Sequence, residues 1–214
     1  MRTTALLAQV RLYLITDSRP ALQPIEAFLE AAVAGGVGMV QLRDRELEDG
    51  GLLHAAIRAA GACAKLRIPF IVNDRLDIAQ ASGADGVHLG QTDMPPAAAR
   101  RILGPDAIIG LSTQSPAQVD AAEREPVDYI GIGPIHATPT KPGRPAVGTA
   151  LVRYAAARCS RPFFAIGGLE PSNIADVAAA GGRAVSVLRF VSKARDPQAA
   201  ARAIVGAISS GSGD

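Results

Sequence analysis

A chain of 214 residues with 48% hydrophobic content is long enough to bury one full core. Its formal net charge is only +2, its Lys and Arg are scattered, and it has no Trp, which argues against a nucleic-acid partner that needs a basic face or stacking platforms. No apolar run approaches the roughly 20 residues of a membrane span, and Arg11 interrupts "MRTTALLAQVRLYLIT" before a signal-peptide core can form.

A protein of the cytoplasm is expected, with no membrane or nucleic-acid partner. Cys63 and Cys159 lack metal-ligand spacing and read as reduced, mostly buried thiols. No linker divides the chain before the terminal "SSGSGD", so a single domain over 1–208 and a flexible tail over 209–214 are expected.

In chain order, eight short runs rich in apolar residues recur: "LYLIT" from Leu12, "MVQLR" from Met39, "FIVN" from Phe70, "GVHLG" from Gly86, "IIGLS" from Ile108, "YIGIG" from Tyr129, "FFAIGG" from Phe163 and "AVSVLRF" from Ala184. Between them lie helical candidates such as "PIEAFLEAAVAGG", "GLLHAAIRAAGACAKL", "SPAQVDAAERE" and "PSNIADVAAAGG", punctuated by Ser or Pro near the start and Gly at the end. Strict alternation of strand and helix implies parallel strands covered on both faces. Eight such units predict an α/β fold, a single (β/α)8 TIM barrel, with an open doubly wound sheet as the alternative.

Polar residues fall after the strands again and again: Thr16-Asp17, Gln41-Arg43, Asn73-Asp74, Gln91-Asp93, Ser112-Thr113, Thr138-Lys141 and Gly167-Gly168. In a barrel these strand ends ring one mouth, where such folds place their chemistry. Asp74 and Asp93 follow adjacent strands; two close carboxylates repel unless a cation lies between them, which is how Mg²⁺ is held alongside substrate phosphate oxygens. The structural alternative has Asp74 capping a helix and Asp93 opening a turn. Arg43, Arg45, Arg75 and Lys141 supply cations nearby, so the ring reads as a diphosphate site.

The segment from Gly133 to Gly148, "GPIHATPTKPGRPAVG", is the longest break between strands and is expected to close over the mouth as a lid. Its Thr138, Thr140 and Lys141 suit phosphate oxygens. A second anion site is expected at Gly167-Gly168 and the backbone after Leu188. No Ser-His-Asp or Cys-His set is evident. His54 reads as a surface or boundary residue, His88 as a satisfied core histidine, and His136 falls in the lid.

The motifs "QLRDR", "VNDRLDIA", "GVHLGQTD", "GLSTQ", "YIGIGPIHATPTK" and "AIGGL" resemble, in order and over almost the whole chain, the thiamine-phosphate synthase (thiamine-phosphate pyrophosphorylase) family of (β/α)8 enzymes. The resemblance implies a transferase that condenses 4-amino-2-methyl-5-hydroxymethylpyrimidine diphosphate with 4-methyl-5-(2-phosphoethyl)thiazole, or its carboxylated form, releasing diphosphate and forming thiamine phosphate. It further implies that Asp74 and Asp93 bind Mg²⁺ and that Arg43, Arg45, Asn73 and Lys141 hold the diphosphate. Gln41 and Thr138 would contact the pyrimidine, with Thr140 beside them in the loop. Ser112 would face the reacting centre, with Arg43 and Lys141 aiding catalysis. Gly168, Leu188 and Arg189 would hold the thiazole phosphate. The partners implied are small-molecule substrates, with a homo-oligomer possible.

Three positions depart from the family pattern. Arg45 replaces a Lys, Gln114 stands where relatives often have His, and "VLRF" replaces Val-Ser-Ala. Thiazole tautomerases of the same fold need an acid-base His where this chain has Gln114, and have no need of the metal ligand in "GQTD". That reading, and a non-catalytic barrel binding thiazole phosphate or thiamine phosphate, are the alternatives.

Overall fold

The computed structural model describes residues 2–18, 23–138 and 145–211. Eight parallel strands follow one another around a closed barrel: β1 (Leu12–Thr16), β2 (Met39–Leu42), β3 (Phe70–Asn73), β4 (Gly86–Leu89), β5 (Ile108–Thr113), β6 (Tyr129–Ile132), β7 (Phe163–Ile166) and β8 (Val185–Val187). The register Leu12↔Val185, Tyr13↔Ser186 and Leu14↔Val187 joins the last strand to the first, which excludes an open sheet.

Helices α2 (Ile25–Ala34), α3 (Asp49–Leu66), α4 (Leu76–Ser82), α5 (Pro96–Leu103), α6 (Pro116–Ala122), α7 (Gly148–Arg158) and α8 (Ile174–Ala179) connect the strands, and α9 (Arg189–Ser192) and α10 (Pro197–Gly211) follow β8. Pro at the first turn of α5 and α6 sets φ without losing a helical hydrogen bond, and the Ser115 hydroxyl caps α6 by accepting from the Gln118 N–H at 3.3 Å. The expected tail boundary moves: α10 continues through Ser209 and Ser210 to Gly211, and the rest of the expected tail, 212–214, lies outside the described residues. Gly211 lies tight against α8, where an added Cβ would come within 2.5 Å of Ala178 Cβ, so packing extends the helix past the point where composition suggests fraying.

An additional helix, α1 (Arg2–Gln9), precedes the barrel and was not signalled by periodicity. Its Leu7 is fully buried and joins Val10, Met39, Ile71, Ile108 and Phe164 inside the barrel, closing the end where the strands begin.

The period-two alternation of strand side chains divides the core. Leu12, Leu14, Val40, Leu42, Val87, Leu89, Ile130 and Ile132 point outward and pack with the helices, while Tyr13, Met39, Ile71, Tyr129 and Phe164 fill the interior. Tyr13, Tyr129 and Phe164 meet edge to face, with centroids 5.3 to 5.7 Å apart. The same alternation aims Gln41, Asn73, His88, Ser112 and Ser186 inward at the upper layer, so runs that read as almost wholly apolar carry a polar ring on their hidden face.

Candidate active site at the strand C-termini

A cavity of about 580 Å³ opens above that ring. It gathers Gln41, Arg43, Arg45, Asn73, Asp74 and Asp93 on one side. Ser112, Thr138, Gly168, Leu188 and Arg189 line the rest, so of the expected site residues that the structure describes, all but the cation Arg75 come together. Thr140 and Lys141 lie outside the described residues, as does the middle of the expected lid, since 139–144 are not described.

Asp74 follows β3 in a left-handed backbone conformation, φ 61°, which a non-glycine residue adopts only at some cost. Its N–H donates to the His88 carbonyl at 2.9 Å, tying the end of β3 to β4. Its Oδ2 accepts from Asn73 Nδ2 at 2.7 Å. The helix-capping alternative fails for Asp74, because the N-cap of α4 is Arg75 and carries no side-chain cap bond. Asp93 does pin its own turn, accepting from the Gly90 N–H at 2.6 Å through Oδ2. Burial, together with the hydrogen-bonding and charge of Asp93, pushes the Asp74 carboxyl up to about 6, only partly offset by Asn73 and Arg45. The two carboxylates therefore interact closely, as their placement on neighbouring strands predicts.

The cations divide. Arg43 and Arg45 line the cavity, whereas Arg75 turns to the surface and binds Asp49 at 2.5 Å and Asp77 at 2.6 Å. Arg75 is therefore removed from the expected cation ring: Asp77 takes its guanidinium in a bidentate fork and Asp49 accepts from the remaining nitrogen. Asp44, between Arg43 and Arg45, takes the Ser18 N–H at 3.1 Å and hydroxyl at 2.6 Å, which holds the loop after β1 against the loop after β2.

His88 corrects another expectation. It is hydrogen-bonded, as a core histidine should be, yet it also lines the cavity. Its Nε2 lies 2.9 Å from Ser112 Oγ and its Nδ1 lies 3.0 Å from the Tyr129 hydroxyl. A Ser-His pair therefore exists, but a phenol stands where a triad would place a carboxylate. Tyr13, His88 and Tyr129 were missed as site residues because each sits within a strand run rather than after it; only their inward parity could have flagged them.

At the far wall, Gly167 and Gly168 have φ of 110° and 62°. Side chains there would also collide: a Cβ at Gly167 would lie 2.6 Å from Pro134 Cα, and one at Gly168 2.8 Å from His136 Cβ. This lets the β7 loop pack against the β6 loop. Lys193 enters the same wall and pairs with Asp17 at 2.7 Å.

The family model described as thiamine monophosphate synthase matches residues 12–191. A thiamine-phosphate synthase of Arthrobacter sp. (strain FB24) is 44% identical over 238 residues, which cover 99% of this chain and 99% of that one. Another, from Acidothermus cellulolyticus, is 49% identical over 199 residues, covering 92% of this chain and 94% of its own. The solved thiamine phosphate pyrophosphorylase from Pyrococcus furiosus superposes with a TM-score of 0.86 at 29% identity, covering 97% of this chain and 100% of that structure. Barrel, strand-end cavity and whole-chain similarity agree: this chain belongs to the thiamine monophosphate synthase family.

Proposed function

We propose that the chain transfers the pyrimidinylmethyl group of 4-amino-2-methyl-5-hydroxymethylpyrimidine diphosphate to the ring nitrogen of 4-methyl-5-(2-phosphoethyl)thiazole or its carboxylated form, releasing diphosphate and yielding thiamine phosphate, with Mg²⁺ at Asp74 and Asp93. The observation that carries this reading is the meeting of two mutually repelling carboxylates with Arg43 and Arg45 in one cavity. That set fits a hard divalent ion. Burial and the neighbouring Asp93 carboxylate hold Asp74 above the usual carboxylate range, a cation between the two would relieve that, and oxygen donors suit Mg²⁺ when phosphate oxygens complete its shell. When bound there, Mg²⁺ supplies charge neutralisation for the leaving diphosphate.

The chain's own residues account for the remainder. The pyrimidine's C–O bond breaks with its electron pair leaving on the diphosphate, and the thiazole nitrogen forms the new C–N bond. Arg43 and Arg45 offer guanidinium forks to the diphosphate oxygens, with Asn73 as a further donor and Lys141 and Thr140 assigned to the same group by motif. Gln41 and Thr138 contact the pyrimidine, and Ser112 faces the carbon where the bond changes. Gly168 and the backbone at Leu188 and Arg189 receive the thiazole phosphate, with the Arg189 charge in place of the family's serine hydroxyl. The site stabilises charge more than it moves protons. Gln114 lines the cavity and has no titrating group at neutral pH, which disfavours the tautomerase reading.

The test combines purified protein, both substrates and Mg²⁺, with thiamine phosphate and diphosphate quantified against a chelator control. Chelator-sensitive formation of both products is expected. Ligand binding without turnover would instead identify a non-catalytic binding barrel.

A further inference from the structure

Five polar side chains under the cavity floor form one continuous hydrogen-bonded chain. Gln41 Nε2 donates to the Tyr13 hydroxyl. The Tyr13 and Tyr129 hydroxyls lie 2.8 Å apart, Tyr129 reaches His88 Nδ1 at 3.0 Å, and His88 Nε2 reaches Ser112 Oγ at 2.9 Å. A phenol has a single proton, so each link constrains the next. Because Gln41 donates to Tyr13, the Tyr13 proton is free to go to Tyr129. The Tyr129 proton then goes to His88 Nδ1, which leaves the His88 proton on Nε2, pointing at Ser112 Oγ. Ser112 accepts that bond and keeps its own proton for the cavity.

We propose that Tyr13 and Tyr129 are positioning residues that pass a single hydrogen-bond direction from Gln41 to Ser112, holding His88 in its Nε2–H tautomer and presenting the Ser112 hydroxyl to the ligand as a donor. The opposite end of the chain is complementary. Gln41 Oε1 is buried in the cavity wall with no hydrogen-bond partner among the described residues, so it presents an acceptor. A ligand that donates an amine N–H at one edge and offers an acceptor atom at another matches both ends, as an aminopyrimidine ester does. That identification rests on the proposed reaction; the direction of the chain does not.

The packing around the chain is specific. A Cβ at Gly110 would lie 2.1 Å from Tyr129 Cζ, so only glycine leaves room for this ring. The Tyr129 ring stacks within 30° of His88 at 5.5 Å, and a Cβ at Gly131 would press against His88 Cε1 at 3.4 Å. Both phenols are fully buried, and burial raises them well above the ordinary tyrosine range, so they remain neutral and the protons stay in order. A chain of this kind strengthens cooperatively, which makes its middle members matter beyond their individual bonds.

The test is the nitrogen spectrum of the ligand-free protein labelled with ¹⁵N-histidine. His88 is expected to show a protonated Nε2 and a bare Nδ1. Tyr129→Phe removes the donor to Nδ1 while keeping the ring, and should mix the two tautomers and lower kcat by roughly tenfold with little change in KM. Tyr13→Phe should act in the same direction but less, because Tyr129 can still donate. A His88 proton on Nδ1 in the unmodified protein would reverse the chain and overturn the proposal, as would a folded Tyr129→Phe variant with unchanged kcat. The unmodified spectrum needs neither variant nor substrate, so it decides the matter even if a variant fails to fold. It also separates two failures: an Nδ1–H histidine in an active synthase sinks the chain alone, whereas an Nε2–H histidine in a protein that forms no thiamine phosphate sinks the proposed reaction alone.

Discussion

The two ends of the barrel treat charge in opposite ways. Where the strands begin, charged groups have partners. Arg100 binds Asp128 at 2.7 Å and the carbonyls of Gly104, Pro105, Ala107 and Pro126, while Asp128 also takes the Ile109 N–H. Arg161 ties together the carbonyls of Glu123, Glu125 and Val127, and Asp85 accepts the Phe70 N–H at 2.8 Å. Where the strands end, Asp74 faces Asp93, the Asp74 backbone is left-handed, and the buried acceptor Gln41 Oε1 has no hydrogen-bond partner among the described residues. One end spends its polar groups on the fold; the other keeps them for a ligand.

The sharpest way to break that contrast is at the carboxylate pair. Asp93→Ala, or Asp74→Ala, should lower the Mg²⁺-dependent rate by roughly 10²-fold or more in steady-state assays, as for loss of one preorganised charge-stabilising group. Near-normal rates would remove that residue from the metal site. Lys141→Ala should act in the same direction but more weakly.

At the opposite end, Asp128→Ala should cost about 2–3 kcal/mol of stability, because it strands the largely buried Arg100 and the Ile109 N–H. Calorimetry should then show melting lowered by roughly 4–12 °C, while kcat of the folded protein stays the same. A large kcat loss without destabilisation would erase the distinction between the ends.

Asp74→Asn should separate function from stability in the reverse sense. The folded protein holds Asp74 at about 6, above the ordinary carboxylate value of 3.8, so the native state keeps a proton that the unfolded chain releases. Stability from this group is full below pH 3.8 and is lost as pH rises toward 6. The variant should therefore match the unmodified protein in acid and exceed it by about 1 kcal/mol at pH 7.5, after allowance for solvent screening of a half-buried group. Urea titrations at both pH values check this, and an unchanged gap across the range would refute the assigned cause. Mg²⁺ affinity should fall in step as pH drops through about 6, measurable by calorimetric titration.

The smallest effect is expected at Arg75. Its ion pairs with Asp49 and Asp77 are exposed, so Arg75→Ala should leave both turnover and melting temperature essentially unchanged. A loss of diphosphate affinity would restore it to the cation ring.

Much of this molecule is legible in one dimension. Alternating apolar runs and capped helices specify a parallel barrel because buried parallel strands and their covering helices have distinct periods. Polar residues at or just beyond the strand C-termini, from Arg43 and Asp74 to Asp93 and Ser112, mark the mouth because all such ends converge on one face. Helix α1 escaped because its burial depends on the open barrel end it fills, which no local pattern encodes.

What only the tertiary structure decided is which side chains meet. Arg75 carries the same charge as Arg43 and follows its strand by two residues where Arg43 follows by one, yet it leaves the site because Asp49 and Asp77 await it outside. Tyr13 and Tyr129 stand 116 positions apart and touch because strand closure and the missing side chain of Gly110 allow it. Sequence by itself determined the order of strands and the kind of chemistry at their ends, since both follow from local period and residue type. The hydrogen-bonded chain from Gln41 to Ser112 needed the closed barrel, since its links join strands that only closure brings to one interior.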